Sequence, residues 1–406
     1  MISVERALEI VLANVEPLGA EEVDLEAAPG RHLAEDVVAD LDTPPFDRSM
    51  MDGYALRAAD TAAAPVALRV TGQVRAGQMP EAGVGAGEAI QIMTGAPLPP
   101  GADAVQPVEK TLALEGARVE IREVVAPGQH VARRASEIRA GATVLRAGRR
   151  IDPAAVAALA TAGRARLQVG RRPVAALLVT GDEIVDVTEC PSGAQIRNAN
   201  GPAVLAQLRA AGAVAHSLGV VKDDAALIAR AVEAGLAADV LVLSGGVSAG
   251  AFDLVESVLE GFGVQILFER VAIKPGAPLV FGRRERRLVF GLPGNPVSAQ
   301  VTFDFFVRPA LARLQGGLAA ARPAFEVSLD GPLRNRSRRR AYLPALVRVE
   351  AQGLRAEPLP SAGSADVFAH ARANALLVLE AERTEARAGE RVAAVLLPSF
   401  VEGEQG

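Results

Sequence analysis

Between residues 173 and about 316, short apolar runs at 174–179, 214–221, 240–243 and 288–291 alternate with helical patterns such as GPAVLAQLRAAGA and DDAALIARAVEAGLA. Strand and helix in turn require crossover connections, and crossovers build a mostly parallel, doubly wound sheet with helices on both faces. Such a sheet takes ligands at the carboxyl ends of its strands. The residues that follow each run therefore decide what this stretch can do. TGDEIVD, with Glu183, follows the first run, and KDD, with Asp223 and Asp224, opens a helix after the second. SGGVSAGAFD follows the third and GLPGNPVSAQ the fourth, while a further loop reads AIKPGAPL.

Taken singly, each loop is ordinary turn chemistry: Gly supplies positive φ and Asp caps helices. Taken together, they place hydroxyls, open backbone N–H groups and carboxylates at one sheet edge. Backbone N–H groups beside glycine and helix N-termini favour an oxyanion. Carboxylates at the same edge would repel a phosphate unless a hard divalent cation lies between them, and magnesium bridges carboxylates to phosphates in this way. A phosphorylated ligand with Mg2+ is the economical reading. No GxxxxGK[ST] loop is present, and GVGAGE at Gly83 lacks both a third glycine and a preceding strand. Ser244 and Ser248 stand in no GxSxG elbow. His216 lies inside an apolar run and reads as structural.

At 406 residues the chain exceeds one core, and half of it is hydrophobic, so several domains can each bury their own. With aromatics at 3% and no Trp, those cores must be built of Ala, Val and Leu. We divide the chain into a helical and mixed unit (1–42 with 141–172), a β-rich insertion (43–140), the α/β domain (173–320) and a C-terminal β domain (321–406). A net charge of −5 gives no positive field for nucleic acid. One Cys and four scattered His exclude a disulfide framework and a His/Cys zinc site. The N-terminus reads as an amphipathic helix, and no apolar stretch is long enough for a membrane span, so a cytoplasmic location is expected. In the β-rich insertion, TPPFDRSMMDGYALRAAD forms a rigid turn carrying Asp47, Ser49 and Asp52, and IQIMTGAPLPPGADAV places Thr94-Gly95 after a short strand.

PPFDRSMMDGYA, IMTGAPLPPGADAV, VTGDEIV, LSGGVSAGAFD, IKPGAPL and GLPGNPVSAQVTF, in this order, resemble the motifs of the molybdopterin molybdenumtransferase (MoeA-like, gephyrin E-domain-like) family. The resemblance implies an elongated, four-domain homodimer whose cleft is completed by the partner's β domain. It also implies insertion of molybdate into adenylylated molybdopterin with Mg2+, releasing AMP. Carried over by position, it gives Asp52, Thr94, Glu183, Asp224, Asp253 and Lys274 catalytic roles, with Glu183, Asp224, Asp253 and Glu137 toward the metal. Ser49, Gly245, Gly246, Ser248, Arg270, Pro275, Pro293, Asn295, Pro296, Ser298 and Ser364 become substrate contacts.

The chain departs from the family's pattern on the cationic side. Glu137 replaces an aspartate, Ala277 and Pro344 stand where the family has a lysine and an arginine, and Arg270 replaces a lysine. Arg336, Arg338, Arg339 and Arg340 lie near the last gap, and such a run reads first as a solvated basic face. A pterin-binding scaffold without chemistry and a molybdopterin adenylyltransferase are the alternative functions. The retained acids argue against the first and the SMMDGYA motif against the second.

Overall fold

The computed structural model describes residues 1–245, 252–318 and 321–400, and in it the alternating stretch forms a six-stranded sheet. Its strands are β1 (Val174–Thr180), β2 (Val214–Val221), β3 (Val240–Ser244), β4 (Gln265–Arg270), β5 (Pro278–Arg284) and β6 (Arg287–Leu292), in the order β2-β1-β3-β6-β5-β4. β2, β1, β3 and β6 run parallel, and β5 and β4 continue the sheet as antiparallel neighbours. All five residues of β3 are buried, which is why it reads as an unbroken apolar run. Helix α1 (Asn200–Ala210) covers one face through Val204 and Leu208. Helices α2 (Ala225–Gly235) and α3 (Phe252–Gly261) cover the other through Ile228, Val232, Val255 and Leu259. A short helix, α4 (Pro296–Thr302), follows β6. The chain leaves β1 for one side of the sheet and returns through β3 on the other. The carboxyl ends of β1 and β3 therefore flank the switch point, where an open α/β sheet has its crevice.

The N-terminal helix, Val4–Ala13, is capped by Ser3, whose side chain accepts from the Arg6 amide. Its apolar stripe, Val4, Ala7 and Val11, enters the α/β core beside Phe306 and Leu311. The residues that follow it pack elsewhere: strand Ala20–Asp24 pairs with Arg166–Gly170 over a small core of Leu33, Ile151, Leu159 and Val169. A helix buries its stripe against the largest apolar face within reach, and that face belongs to the α/β unit.

The β-rich insertion holds a second six-stranded sheet, with Gly53–Leu56 between Ala104–Pro107 and Glu88–Ile92. At the C-terminus, strands Ala324–Leu329, Arg340–Glu350, Gly353–Pro358, Ala375–Leu379 and Arg391–Leu396 close on themselves, because Arg340–Glu350 pairs with both Gly353–Pro358 and Ala375–Leu379. Closure leaves no free edge around the barrel core of Val327, Leu377 and Ala394. The two-residue strand Ile273–Lys274, which belongs in sequence to the α/β stretch, adds to this barrel in register with Arg340 and Ala341. The junction is reinforced by the Phe305 and Tyr342 rings, with centroids 4.4 Å apart.

Candidate active site

A cavity of about 1250 Å3 opens at the switch point, between the carboxyl edge of the α/β sheet and the C-terminal barrel. Its floor is the end of β1 and β3. Thr180 and Ser244 are buried there, and the Thr180 hydroxyl has no partner within the described residues. Gly245 follows with φ +98°, and a Cβ at this position would lie 2.1 Å from the Thr180 carbonyl oxygen. Only glycine lets the chain leave β3 this close to β1. The PGNP turn forms one wall, with Pro293, Asn295, Pro296 and Ser298 all lining the cavity. Asn295 donates from Nδ2 to Ser364 Oγ at 2.8 Å, and the Val297 amide donates to the Ser364 carbonyl at 3.1 Å. The turn and the SAGS loop of the barrel are thereby joined.

Glu183 lines the cavity from the loop after β1. Asp223, after β2, is its electrostatic neighbour: burial pushes the Asp223 carboxyl above its ordinary range, and the charges of Asp182 and Glu183 push it further in the same direction. Asp224 is placed differently from the sequence expectation. Its Oδ1 accepts from the amides of Ala226 and Leu227 at 3.0 and 2.9 Å and caps α2. The reason was legible: of two aspartates before a helix, the one adjoining the first turn reaches the orphan amides. Asp223, one residue earlier, is left facing the other acids.

The opposite wall is cationic. Lys274 and Pro275 line the cavity, carried on the strand that joins the barrel. Arg334, Arg336 and Arg339 line it from the barrel itself. Arg339 donates to the Ile273 carbonyl at 3.2 Å, whereas no ion pair occupies Arg334 or Arg336 among the described residues. Arg336, read from the sequence as part of a solvated basic face, is exposed and also lines the cavity, as does Arg334. Arg340 departs in the other direction, bound to Glu5 and to Glu380, which raises its pKa. Arg270, at the end of β4, is exposed and does not line the cavity.

The residues assigned to the β-rich insertion form a separate constellation outside this cavity. Asp52 Oδ1 accepts from the Thr94 amide at 2.6 Å and from Thr94 Oγ1 at 2.8 Å, and these bonds hold its carboxyl below the usual range. A Cβ at Gly53 would lie 2.0 Å from the Gln106 carbonyl oxygen, so the DGY turn needs its glycine. Ser49 is buried and donates to the Met51 carbonyl at 2.5 Å, shaping the turn from within. Glu137 pairs with Arg48 at 2.8 Å on the same unit and meets none of the cavity acids. Gly246, Ser248 and the side chain of Asp253 lie outside the described residues.

Among the described residues no three His, Cys, Asp or Glu side chains converge as a ready-made metal cage. A hard cation that takes one or two carboxylates and fills its sphere with water and substrate phosphate needs no cage. An exposed carboxyl whose protonation is favoured by partial desolvation and by the charges of Asp182 and Glu183 is the environment in which such an ion is favourable. The donor set fits magnesium on these grounds.

Comparison with known proteins covers most of the chain. Residues 2–163 match the MoeA N-terminal region (domain I and II), residues 176–313 a probable molybdopterin binding domain, and residues 326–397 the MoeA C-terminal region (domain IV). The molybdopterin molybdenumtransferase of Bacillus subtilis is 35% identical, with 93% of this chain and 90% of that protein covered. The protein of the same name from Haemophilus influenzae is 34% identical over 97% of this chain and 98% of its own length. The crystal structure of the molybdopterin biosynthesis MoeA protein from Pyrococcus horikoshii OT3 superposes with a TM-score of 0.82, covering 98% of this chain and all of that one at 29% identity.

Proposed function

The chain belongs to the molybdopterin molybdenumtransferase family, and we propose that it inserts molybdate into adenylylated molybdopterin in the presence of Mg2+, releasing AMP and forming molybdenum cofactor. It is a transferase of molybdenum cofactor biosynthesis. One observation carries the finer reading: a single cavity carries Glu183 at the α/β switch point, with Asp223 as its electrostatic neighbour, and a cluster of cations, Lys274, Arg334, Arg336 and Arg339, on the barrel side. Two anions must meet in this reaction, a tetrahedral oxyanion and a pyrophosphate, and the two walls divide that task.

On the acidic side, Glu183 and Asp223 would hold Mg2+ against the pyrophosphate, in the role the sequence gave to Asp224. When bound, the ion neutralises phosphate charge and makes phosphorus a better electrophile. The cavity floor at Thr180, Ser244 and Gly245 binds and orients the pterin phosphate portion by hydroxyl and backbone donors. On the cationic side, Lys274, Arg334 and Arg336 attract molybdate, and Ser298 on the PGNP wall and Ser364 on the barrel loop bonded to it are further donors. Arg334 and Arg336 restore the positive charge that Ala277 and Pro344 lack. The turn at Asp52 and Thr94 would enter the cleft of a second copy, which makes a cytoplasmic homodimer the working form.

AMP release by the purified protein tests this reading, with molybdate present or omitted. Release that depends on molybdate supports it. Tight pterin binding without release under any condition would favour the scaffold alternative.

A further inference from the structure

We propose that Asn200 is a positioning residue that fixes the spacing between the end of β3 and the PGNP turn and passes that spacing to the C-terminal barrel. Asn200 opens α1 and is 9% exposed. Its Nδ2 donates to Ser244 Oγ and to the Gly294 carbonyl, both at 2.8 Å, so both hydrogens of one amide are engaged. These partners lie 44 and 94 residues away in sequence and belong to the floor and the wall of the cavity.

Asn200 is not occupied in capping its own helix. Asn198 does that, accepting from the Gly201 amide at 2.8 Å. Ser244 cannot drift alone, because the next residue, Gly245, rests against Thr180 of β1. Gly294 adjoins Asn295, whose side chain reaches Ser364 of the barrel. A continuous path thus runs from β3 through Asn200 and the PGNP turn to the SAGS loop, across the bottom of the cleft. Asn200 also borders the cavity, but both of its amide hydrogens are held by Ser244 and Gly294. It acts through Ser244 and Gly294, and its consequence is that the pterin side and the oxyanion side keep one separation. Misplacement of reacting groups by about 1 Å costs up to a hundredfold in rate.

The kinetic part rests on the transferase reading, whereas the structural part does not. Hydrogen exchange of the full-length protein is compared with Asn200→Ala, Asn200→Asp and Ser364→Ala, together with steady-state AMP release at varied molybdate and varied adenylylated molybdopterin. In Asn200→Ala we expect faster exchange at residues 294–298 and also at 361–366. We expect kcat to fall about ten- to a hundredfold, with each KM moving less than about threefold. Asn200→Asp keeps the volume but loses both donations, and should resemble the alanine variant. Ser364→Ala should loosen 361–366 while leaving the amides around Ser244 protected. Wild-type exchange and kcat in Asn200→Asp, or exchange changes confined to 200–210, would overturn the proposal. A wild-type protein that releases no AMP would refute the transferase reading, and the exchange comparison would still decide the role of Asn200.

Discussion

Replacing Arg334 and Arg336 together by alanine removes two cations that line the cavity and have no ion-pair partner among the described residues. The structure sets the size of the expected effect. Both residues are exposed, so water and salt screen their attraction for an anion, and each contact is worth about 1 kcal/mol or less. Since 1.4 kcal/mol is a factor of ten in affinity, one arginine should contribute roughly fivefold and the pair roughly twenty- to thirtyfold. We expect the KM for molybdate to rise by about that factor, with the KM for adenylylated molybdopterin nearly unchanged, because the acidic wall and the floor are intact. The loss should shrink at high salt, since screening weakens the wild-type interaction first. Lysine at both positions should recover part of the affinity, as charge returns without the planar fork. The assay is AMP release against molybdate concentration, at low and high salt. An unchanged molybdate KM in the double alanine variant would refute the reasoning and return this run to the solvent.

The two aspartates after β2 should separate: Asp224→Ala removes a helix cap and costs mainly stability, about 1 kcal/mol in chemical denaturation, whereas Asp223→Asn should lower kcat with little change in unfolding midpoint. Gly245→Ala combines a positive φ with a Cβ set against the Thr180 carbonyl, and should reduce both thermal stability and kcat. His32 is largely buried beside Arg150 and Arg31, and burial first, then these cations, holds its pKa below 6.5. The unfolded chain therefore binds the extra proton first, so the neutral ring's stabilising effect is complete above about 6.5 and is lost as pH falls toward the folded value. Thermal midpoints measured downward from neutral pH should decline more steeply for the wild type than for His32→Gln.

The parts of this molecule that could be read in the sequence are those set by local chemistry. The parallel sheet follows from apolar runs alternating with helical patterns, of which β1, β3 and β6 are almost wholly buried while the edge strand β2 is largely exposed, and the loops after β3 and β6 carry glycines and prolines where the cavity is built. Three features were less legible. The N-terminal helix shows its stripe but not the face that receives it. Lys274 belongs by sequence to the α/β stretch, yet its two-residue strand pairs with the barrel, a tertiary choice with no local signal. Arg336, Arg338, Arg339 and Arg340 look alike as a run, and only the closure of the barrel brings Arg336 and Arg339, with Arg334, to the cavity and binds Arg340 to Glu5 and Glu380. Asn200 carries no local signal of its role, because its partners Ser244 and Gly294 lie 44 and 94 residues away.

The most direct test of the central claim is AMP release from adenylylated molybdopterin by the purified protein, with Mg2+ or with chelator, and with molybdate, tungstate or no oxyanion. The account predicts release that requires both Mg2+ and molybdate. Release independent of any oxyanion, or none at all from a pterin that binds tightly, would contradict it.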